Sequence, residues 1–130
     1  MKNDEIEKSV IYPQKQEENS SLALQFALET EMTVRRPVRM VLDLGELREV
    51  VGIEIVNLYF QLGRSCLGKV RESAPTGGEG THYNYDEICD SFYLRLRGGR
   101  SVTQKAVDGT VLVDERGAIV GLNVSWSPPV

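Results

Sequence analysis

Residues 38–56, VRMVLDLGELREVVGIEIV, return in altered form at residues 107–125 as VDGTVLVDERGAIVGLNVS, a shift of 69 positions. Apolar residues recur at matching places in both stretches, and a shift of 70 aligns the preceding segments 21–26 and 91–96. Identical residues coincide in four pairs: Val38 and Val107, Glu46 and Glu115, Val51 and Val120, Gly52 and Gly121. The chain therefore reads as an internal repeat, which indicates architecture before any single residue is interpreted.

Both copies show the alternation and turn residues of β-strands. A copy of about 60 residues buries only about 60% of its unfolded surface, so we expect the two copies to share a core. The sequence predicts an all-β protein with two pseudo-repeated four-stranded antiparallel meanders and a short helical segment between them. The predicted strands are 22–28, 32–36, 38–44 and 50–56 in the first copy, and 92–97, 101–106, 110–113 and 118–125 in the second.

Glycine and proline mark the predicted turns. Gly98-Gly99 suits a tight type I′ link, Asp108-Gly109 suits the next turn, and Gly117 suits the left-handed position of a type I hairpin. Pro37 predicts that its strand ends there or lies at a sheet edge.

Four segments follow along the chain. Residues 1–20 form a polar leader, in which 10–12 are expected to add a short strand, and 21–70 form the first β repeat with a trailing short helix. Residues 71–81 form a linker and 82–130 form the second repeat. The helix is predicted from the four-residue spacing of Leu58, Leu62 and Cys66.

Composition narrows the class of partner. The net charge is −4 and no basic segment stands out, so nucleic acid is disfavoured as a partner. We expect no membrane association, because the longest apolar stretch is about half the length that a bilayer requires. The start of the chain lacks a signal peptide, which predicts a cytoplasmic location. Cys66 and Cys89 are expected to be reduced, with a disulfide as the alternative.

The strongest candidate surface is a ribbon of Tyr93, Arg95 and Arg97, extended by Arg100. Alternation places the first three on one strand face with the arginines about 7 Å apart. Guanidinium groups bind carboxylates or phosphates in a bidentate manner, and tyrosine adds a flat contact. An acidic protein partner, single-stranded nucleic acid and a merely solvated face are the three interpretations of this pattern.

The first copy differs at the matching face, where it carries Ala23, Gln25 and Ala27. Small neutral side chains predict a covered face. Either the other repeat or a second molecule would cover it, and we expect self-association through these residues.

Chemistry beyond binding finds little support. The single histidine, His82, lies four and eight residues before Asp86 and Asp90, a spacing that would place all three on one face of a helix. The segment is predicted to be a turn rather than a helix, so we expect no metal site and no cofactor. The turn itself predicts that Asp86 or Asp90 accepts backbone hydrogen bonds. No serine or cysteine has a plausible histidine partner, and the chain is not expected to be an enzyme.

Several blocks of the second copy resemble a small bacterial β domain, domain-of-unknown-function family 2283. They are Tyr85-Asp86, the segment 90–96 (DSFYLRL), Val107-Asp108-Gly109, the segment 114–117 (DERG) and the segment 119–122 (IVGL). The matching stretches of the first copy are 41–44 and 50–55, although its opening motif is largely lost. The resemblance implies a domain without enzymatic activity, and many members resemble partners of small toxin-like proteins.

Together these features predict a non-catalytic cytoplasmic protein-interaction module. An antitoxin-like neutraliser of a small toxin-like protein is the form that the resemblance implies. The alternative is a nucleic-acid-binding regulator that uses the same Tyr93–Arg100 ribbon.

Overall fold

A computed structural model describes residues 9–11, 14–18, 20–63, 70 and 81–126 of the chain. These residues form one antiparallel β-sheet and a single short helix, so the predicted all-β class is confirmed. The strands are β1 (Ser9–Ile11), β2 (Gln14–Glu18), β3 (Ser21–Gln25), β4 (Val34–Leu44), β5 (Val50–Val56), β6 (Thr81–Asp86), β7 (Ser91–Arg95), β8 (Thr103–Val113) and β9 (Ile119–Ser125), and the helix α1 spans Leu58–Leu62.

The strand order is β1-β6-β7-β5-β4-β8-β9-β3-β2. The two eleven-residue strands β4 and β8 pair along their whole length at the middle of the sheet. Arg39 lies directly opposite Asp108 in this pair, and these residues are themselves 69 positions apart. Their side chains form an ion pair of 3.3 Å, which is exposed and therefore contributes little stability.

The predicted pair of four-stranded meanders is wrong in its connections. Strand β3 of the first half pairs with β9 of the second, and β7 of the second half pairs with β5 of the first. Each half thus supplies the strand that completes the other half's part of the sheet. The Gly98-Gly99 link consequently joins strands that are not neighbours, because β7 does not pair with β8.

Two predicted strand breaks lie inside long strands. Asp108-Gly109 is in the middle of β8, where Gly109 pairs with both Val38 and Val124, so the predicted turn is wrong. Pro37 lies within β4, in a part that β5 does not reach. This part of β4 is a local edge of the sheet, where the missing N–H of a proline is tolerated. A position at a sheet edge was one of the two predicted alternatives for Pro37.

The hairpins β4–β5 and β8–β9 share a bulge at corresponding places, before Leu44 and before Val113. In the second hairpin Asp114 Oδ1 accepts hydrogen bonds from the N–H groups of Arg116 and Ala118, both 2.9 Å. The first hairpin has Gly45 at the matching position. A carboxylate oxygen of Glu49 would lie 2.4 Å from a Cβ placed on Gly45, so the Glu49 side chain occupies that space.

The two hairpins differ at their left-handed residue. Gly117 has φ 84°, as predicted, whereas the matching residue of the first hairpin is Arg48 with φ 66°. A side chain in this region costs about 1 kcal/mol or more. We therefore expect Arg48→Gly to raise the free energy of unfolding by about 1 kcal/mol, measured by urea denaturation. Gly117→Ala is the matched control and should lower it by about the same amount; equal stability of both variants and wild type would contradict this account.

One face of the curled sheet carries the hydrophobic core. Alternation in β3 and β7 buries Leu22 and Leu24 in one strand and Phe92 and Leu94 in the other. Helix α1 adds Leu58 and Leu62 to the same core. The segment predicted as a polar leader contributes the two outer strands β1 and β2, of which only β1 was anticipated.

Candidate interaction surface

Tyr93 does not project freely from the sheet. It lies over Gly52 of the neighbouring strand, where an added Cβ would come within 2.3 Å of its hydroxyl oxygen. The hydroxyl donates to Asp43 Oδ2 at 3.1 Å, and Gln104 Nε2 donates to Asp43 Oδ1 at 2.9 Å. Asp43 is only 7% exposed. Burial raises the pKa of Tyr93, and the Asp43 carboxylate raises it further. The phenol therefore stays protonated at neutral pH and acts as a donor.

The two strand arginines also contact acceptors within the protein. Arg95 donates from Nε to the carbonyl of Arg97 at 3.0 Å and from Nη2 to the carbonyl of Gly99, which braces the connection after β7. Arg97 donates from Nη2 to Glu17 of β2 at 2.5 Å. Arg100 is exposed. The predicted ribbon is therefore divided between structural contacts and solvent, and its role in binding a partner stays a prediction.

A cleft of about 410 Å³ opens beside Tyr93 and Arg95. Asn84 pairs across from Tyr93 and His82 across from Arg95, so both strands β6 and β7 line it. The side chains of Arg95, His82 and Asn84 can donate hydrogen bonds there, whereas Tyr93 already donates its single O–H to Asp43. This arrangement suits a carbonyl or carboxylate group more than a cation.

Residues predicted for self-association lie on the corresponding face of the other half. Ala23 and Gln25 are half-buried in β3, between β9 and β2, and Ala27 is half-buried just after the strand. A shallow groove of about 420 Å³ runs over Ala23 and Gln25 beside Gly121 and Asn123. Small residues thus leave a groove where the other half has Tyr93 and Arg95, and self-association through it stays a prediction.

Residues 87–90 form the turn that the sequence predicted before β7, but the part of the predicted turn that contains His82 is wrong, because Thr81–Asp86 forms strand β6. Asp86 Oδ1 accepts hydrogen bonds from the N–H groups of Ile88 at 2.9 Å and Cys89 at 3.2 Å. The Asp86 carboxylate raises the pKa of the exposed Cys89 thiol, which keeps the reactive thiolate scarce. Cys66 lies outside the described residues. Within the part of the chain that the structure describes, no three histidine, cysteine or acidic side chains converge on a metal position.

Asp90 holds α1 against this turn. Its carbonyl accepts from the N–H of Leu58 at 3.1 Å, and its carboxylate oxygens accept from Tyr59 at 2.8 Å and Phe60 at 3.2 Å. The hydroxyl of Tyr85 donates to Asp90 Oδ1 at 2.6 Å. Asp90 therefore binds the first three N–H groups of the helix from a distant part of the chain, which is the role that an N-cap residue normally has.

The opposite side of α1 is anchored to the central sheet. Leu58 and Leu62 are buried. The Gln61 amide accepts from the Arg39 N–H at 2.8 Å and donates to the Arg39 carbonyl at 3.2 Å, as a neighbouring strand would. The helix is thus fixed in place from both sides.

This anchoring leaves four large hydrophobic residues exposed at one end of the sheet, which we call the apolar end. Phe60 is 84% exposed and Ile88 is 96% exposed, and Val56 and Tyr59 are also exposed. Val56 is the last residue of β5 and pairs with Ser91, which pairs with Asp86. The α1 helix and the β6–β7 turn therefore meet at the same end. Sequence reasoning missed these residues, although Tyr59 and Phe60 fall between the buried positions Leu58 and Leu62.

No protein-family profile, curated protein sequence or solved structure matches this chain. The resemblance to domain-of-unknown-function family 2283 therefore stays a prediction. Among the described residues, no helix is long and apolar enough to cross a membrane.

Proposed function

We propose that this protein is a non-catalytic, cytoplasmic protein-interaction module whose contact surface is the apolar end. The observation that carries the proposal is the exposure of Phe60 and Ile88, together with Tyr59 and Val56, at one end of the sheet. Clustered large apolar side chains at the surface of a small protein mark interaction sites, whereas single ones need no explanation. Aromatic residues in particular supply much of the binding energy of protein interfaces.

The local backbone supports a binding role for this end. Asn57 and Asp90, which flank α1 and the turn, both have left-handed φ angles, 56° and 54°. Asparagine and aspartate tolerate this conformation better than other side chains, and non-glycine residues that adopt it concentrate at functional sites. Because Asp90 and Gln61 fix α1 from two sides, the backbone of α1 loses little further conformational entropy on binding.

The ribbon of arginines is a weaker basis for function. Arg95 and Arg97 donate hydrogen bonds to acceptors within the protein, so a partner would have to compete for these groups. The same internal hydrogen bonds weaken the case for the nucleic-acid-binding alternative, because that alternative depends on the same guanidinium groups. An antitoxin-like role, which the family resemblance implies, fits the proposal because it requires only that the partner be a protein.

The test is affinity capture with the full chain as bait and nuclease-treated lysate. We expect wild type to retain a stoichiometric protein partner and Phe60→Ser/Ile88→Ser to lose at least nine-tenths of it, about 1.4 kcal/mol of binding free energy. Leu28→Ser is the matched control, since Leu28 is 81% exposed but outside the apolar end. These exposed substitutions should change the free energy of unfolding by no more than about 0.5 kcal/mol.

Two results would contradict the proposal. One is a partner retained equally by wild type and Phe60→Ser/Ile88→Ser but lost by Arg95→Ala/Arg97→Ala. The other is a bound component that is recovered from untreated lysate but not from nuclease-treated lysate, which would favour the nucleic-acid alternative.

A further inference from the structure

Acidic side chains surround the apolar end. Asp86 is the exposed last residue of β6, Glu87 is exposed in the turn that carries Ile88, and Asp90 contacts α1. Glu54 lies two residues before Val56 on the same face of β5, and its carboxylate accepts from Ser91 Oγ at 3.2 Å. Four carboxylates thus lie at the same end of the sheet as the four exposed hydrophobic residues.

The described arginine that contacts α1 is paired with an acidic residue. Arg39, which is joined to α1 by the Gln61 amide, forms its ion pair with Asp108 at 3.3 Å. Counted over the described residues alone, the edge of the apolar end therefore carries an excess of negative charge. Such a rim attracts basic groups and repels acidic ones.

We infer that the apolar end binds a cationic protein segment with an apolar face, in which lysine or arginine side chains flank the hydrophobic contact. The inference rests on the proposed function and specifies the chemistry of the partner. Hydrophobic residues of the segment would cover Phe60 and Ile88, and its basic residues would lie beside Glu87 and Glu54. This surface differs from the predicted arginine ribbon in the sign of its charge, so it selects the opposite kind of partner.

The same charges argue against other occupants. A two-fold contact with a second copy would place this surface against itself. Four carboxylates would then face four carboxylates across the interface, which is repulsive. The phosphates of a nucleic acid would be repelled by the same carboxylates. Contacts of this kind would not release the phosphate counterions whose release drives nucleic-acid binding.

The experiment compares two synthetic amphipathic peptides of about four helical turns with identical leucine faces. One carries lysine and the other glutamate on its polar face, and binding to the full chain is measured by fluorescence anisotropy. We expect the lysine peptide to bind at least tenfold more tightly, with an affinity that falls as salt is raised. Phe60→Ser/Ile88→Ser should remove this binding.

Charge variants supply the second arm. Glu54→Gln/Glu87→Gln should weaken the lysine peptide at least threefold while leaving the fold intact, because neither residue caps a turn or helix. Glu46→Gln/Glu115→Gln is the matched control, since both residues are exposed in the hairpins β4–β5 and β8–β9, away from α1. It should leave the affinity unchanged.

Several outcomes would overturn the inference. Equal affinity for both peptides, with binding still lost in Phe60→Ser/Ile88→Ser, would leave the proposed function standing and refute the cationic partner. Absence of binding by the lysine peptide, or binding that Phe60→Ser/Ile88→Ser does not reduce, would also refute it. A wild-type dimer that Phe60→Ser/Ile88→Ser converts to monomer in sedimentation would assign the surface to a second copy. Failure of the proposed function itself would appear separately, as affinity capture that does not depend on Phe60 and Ile88.

Discussion

Asp90→Ala is expected to lower the free energy of unfolding by about 2–4 kcal/mol and to disorder α1. The substitution removes the acceptors of the Tyr59 and Phe60 N–H groups and of the Tyr85 hydroxyl. A lost helix cap costs about 1 kcal/mol, and a hydrogen bond to a charged group about 1.5–3 kcal/mol. Alanine also tolerates the left-handed φ of 54° less well than aspartate. Urea denaturation gives the magnitude.

Asp90→Asn is the matched control for this effect. Asparagine keeps a carbonyl acceptor and tolerates left-handed backbone, so it should lose less than half of the stability that alanine loses. If helix position creates the binding surface, Asp90→Ala should also weaken partner capture more than Asp90→Asn does. Wild-type stability of Asp90→Ala would show that the three side-chain hydrogen bonds of Asp90 contribute nothing.

The charge of Asp90 also predicts a dependence on pH. Burial alone would raise the pKa of this carboxyl, but the hydrogen bonds from Tyr85, Tyr59 and Phe60 outweigh it and lower the pKa below its ordinary value. A lowered pKa in the folded state means that the stabilisation is present above the pKa of the unfolded chain, about 3.9. It is lost as pH falls through the folded-state pKa. Wild type should therefore lose more stability than Asp90→Asn between pH 5 and pH 2, at constant ionic strength.

Local patterns in the sequence predicted local structure well. Period-two alternation identified Phe92 and Leu94 as buried and Tyr93 and Arg95 as their opposite face. The left-handed Gly117 and a turn before β7 were likewise predicted from short motifs, although strand β6 was missed because its residues were assigned to that turn. Each of these features depends on neighbours within a few residues, which is why a single sequence reveals it.

Pairing between distant strands was beyond such patterns. The Gly98-Gly99 link suggested that β7 returns beside β8, whereas β7 pairs with β5, and no local motif distinguishes the two arrangements. The same limit applies to the candidate surface. Asp90 contacts Tyr59 across 31 residues, and Tyr93 contacts Asp43 across 50. The sequence identified the Tyr93 face, but the structure was needed to show that its polar groups are engaged and that Phe60 and Ile88 are exposed.

Gly109 was predicted to lie in a turn, but in the structure its lack of a side chain makes room for neighbouring atoms. It lies in the middle of β8, and an added Cβ would be 2.7 Å from Met40 Cε and 2.9 Å from the carbonyl oxygen of Asn123. Met40 is the residue 69 positions earlier and is only 1% exposed. The large side chain of one strand therefore occupies the space that the small residue of the other leaves, close to the middle of the β4–β8 pair.

This complementarity predicts a large and non-additive effect on stability. Met40→Ala should lower the free energy of unfolding by about 2–5 kcal/mol through the cavity that it leaves. Gly109→Ala should lower it by about 1–3 kcal/mol through overpacking. In Met40→Ala/Gly109→Ala the new methyl group fills part of the cavity and no longer meets the methionine. The loss in the free energy of unfolding of the double variant should therefore be smaller than the sum of the two single losses, by at least about 1 kcal/mol.

A double-mutant cycle measured by urea denaturation checks this expectation, with Gly98→Ala as the control glycine. No atom lies within 4 Å of a Cβ built on Gly98, so its substitution should change stability little and should add to Met40→Ala without coupling. Additive effects of Met40→Ala and Gly109→Ala would mean that the carbonyl of Asn123, rather than Met40, excludes a side chain at position 109. In that case backbone approach between β8 and β9, and not packing across β4 and β8, would explain why glycine interrupts a central strand.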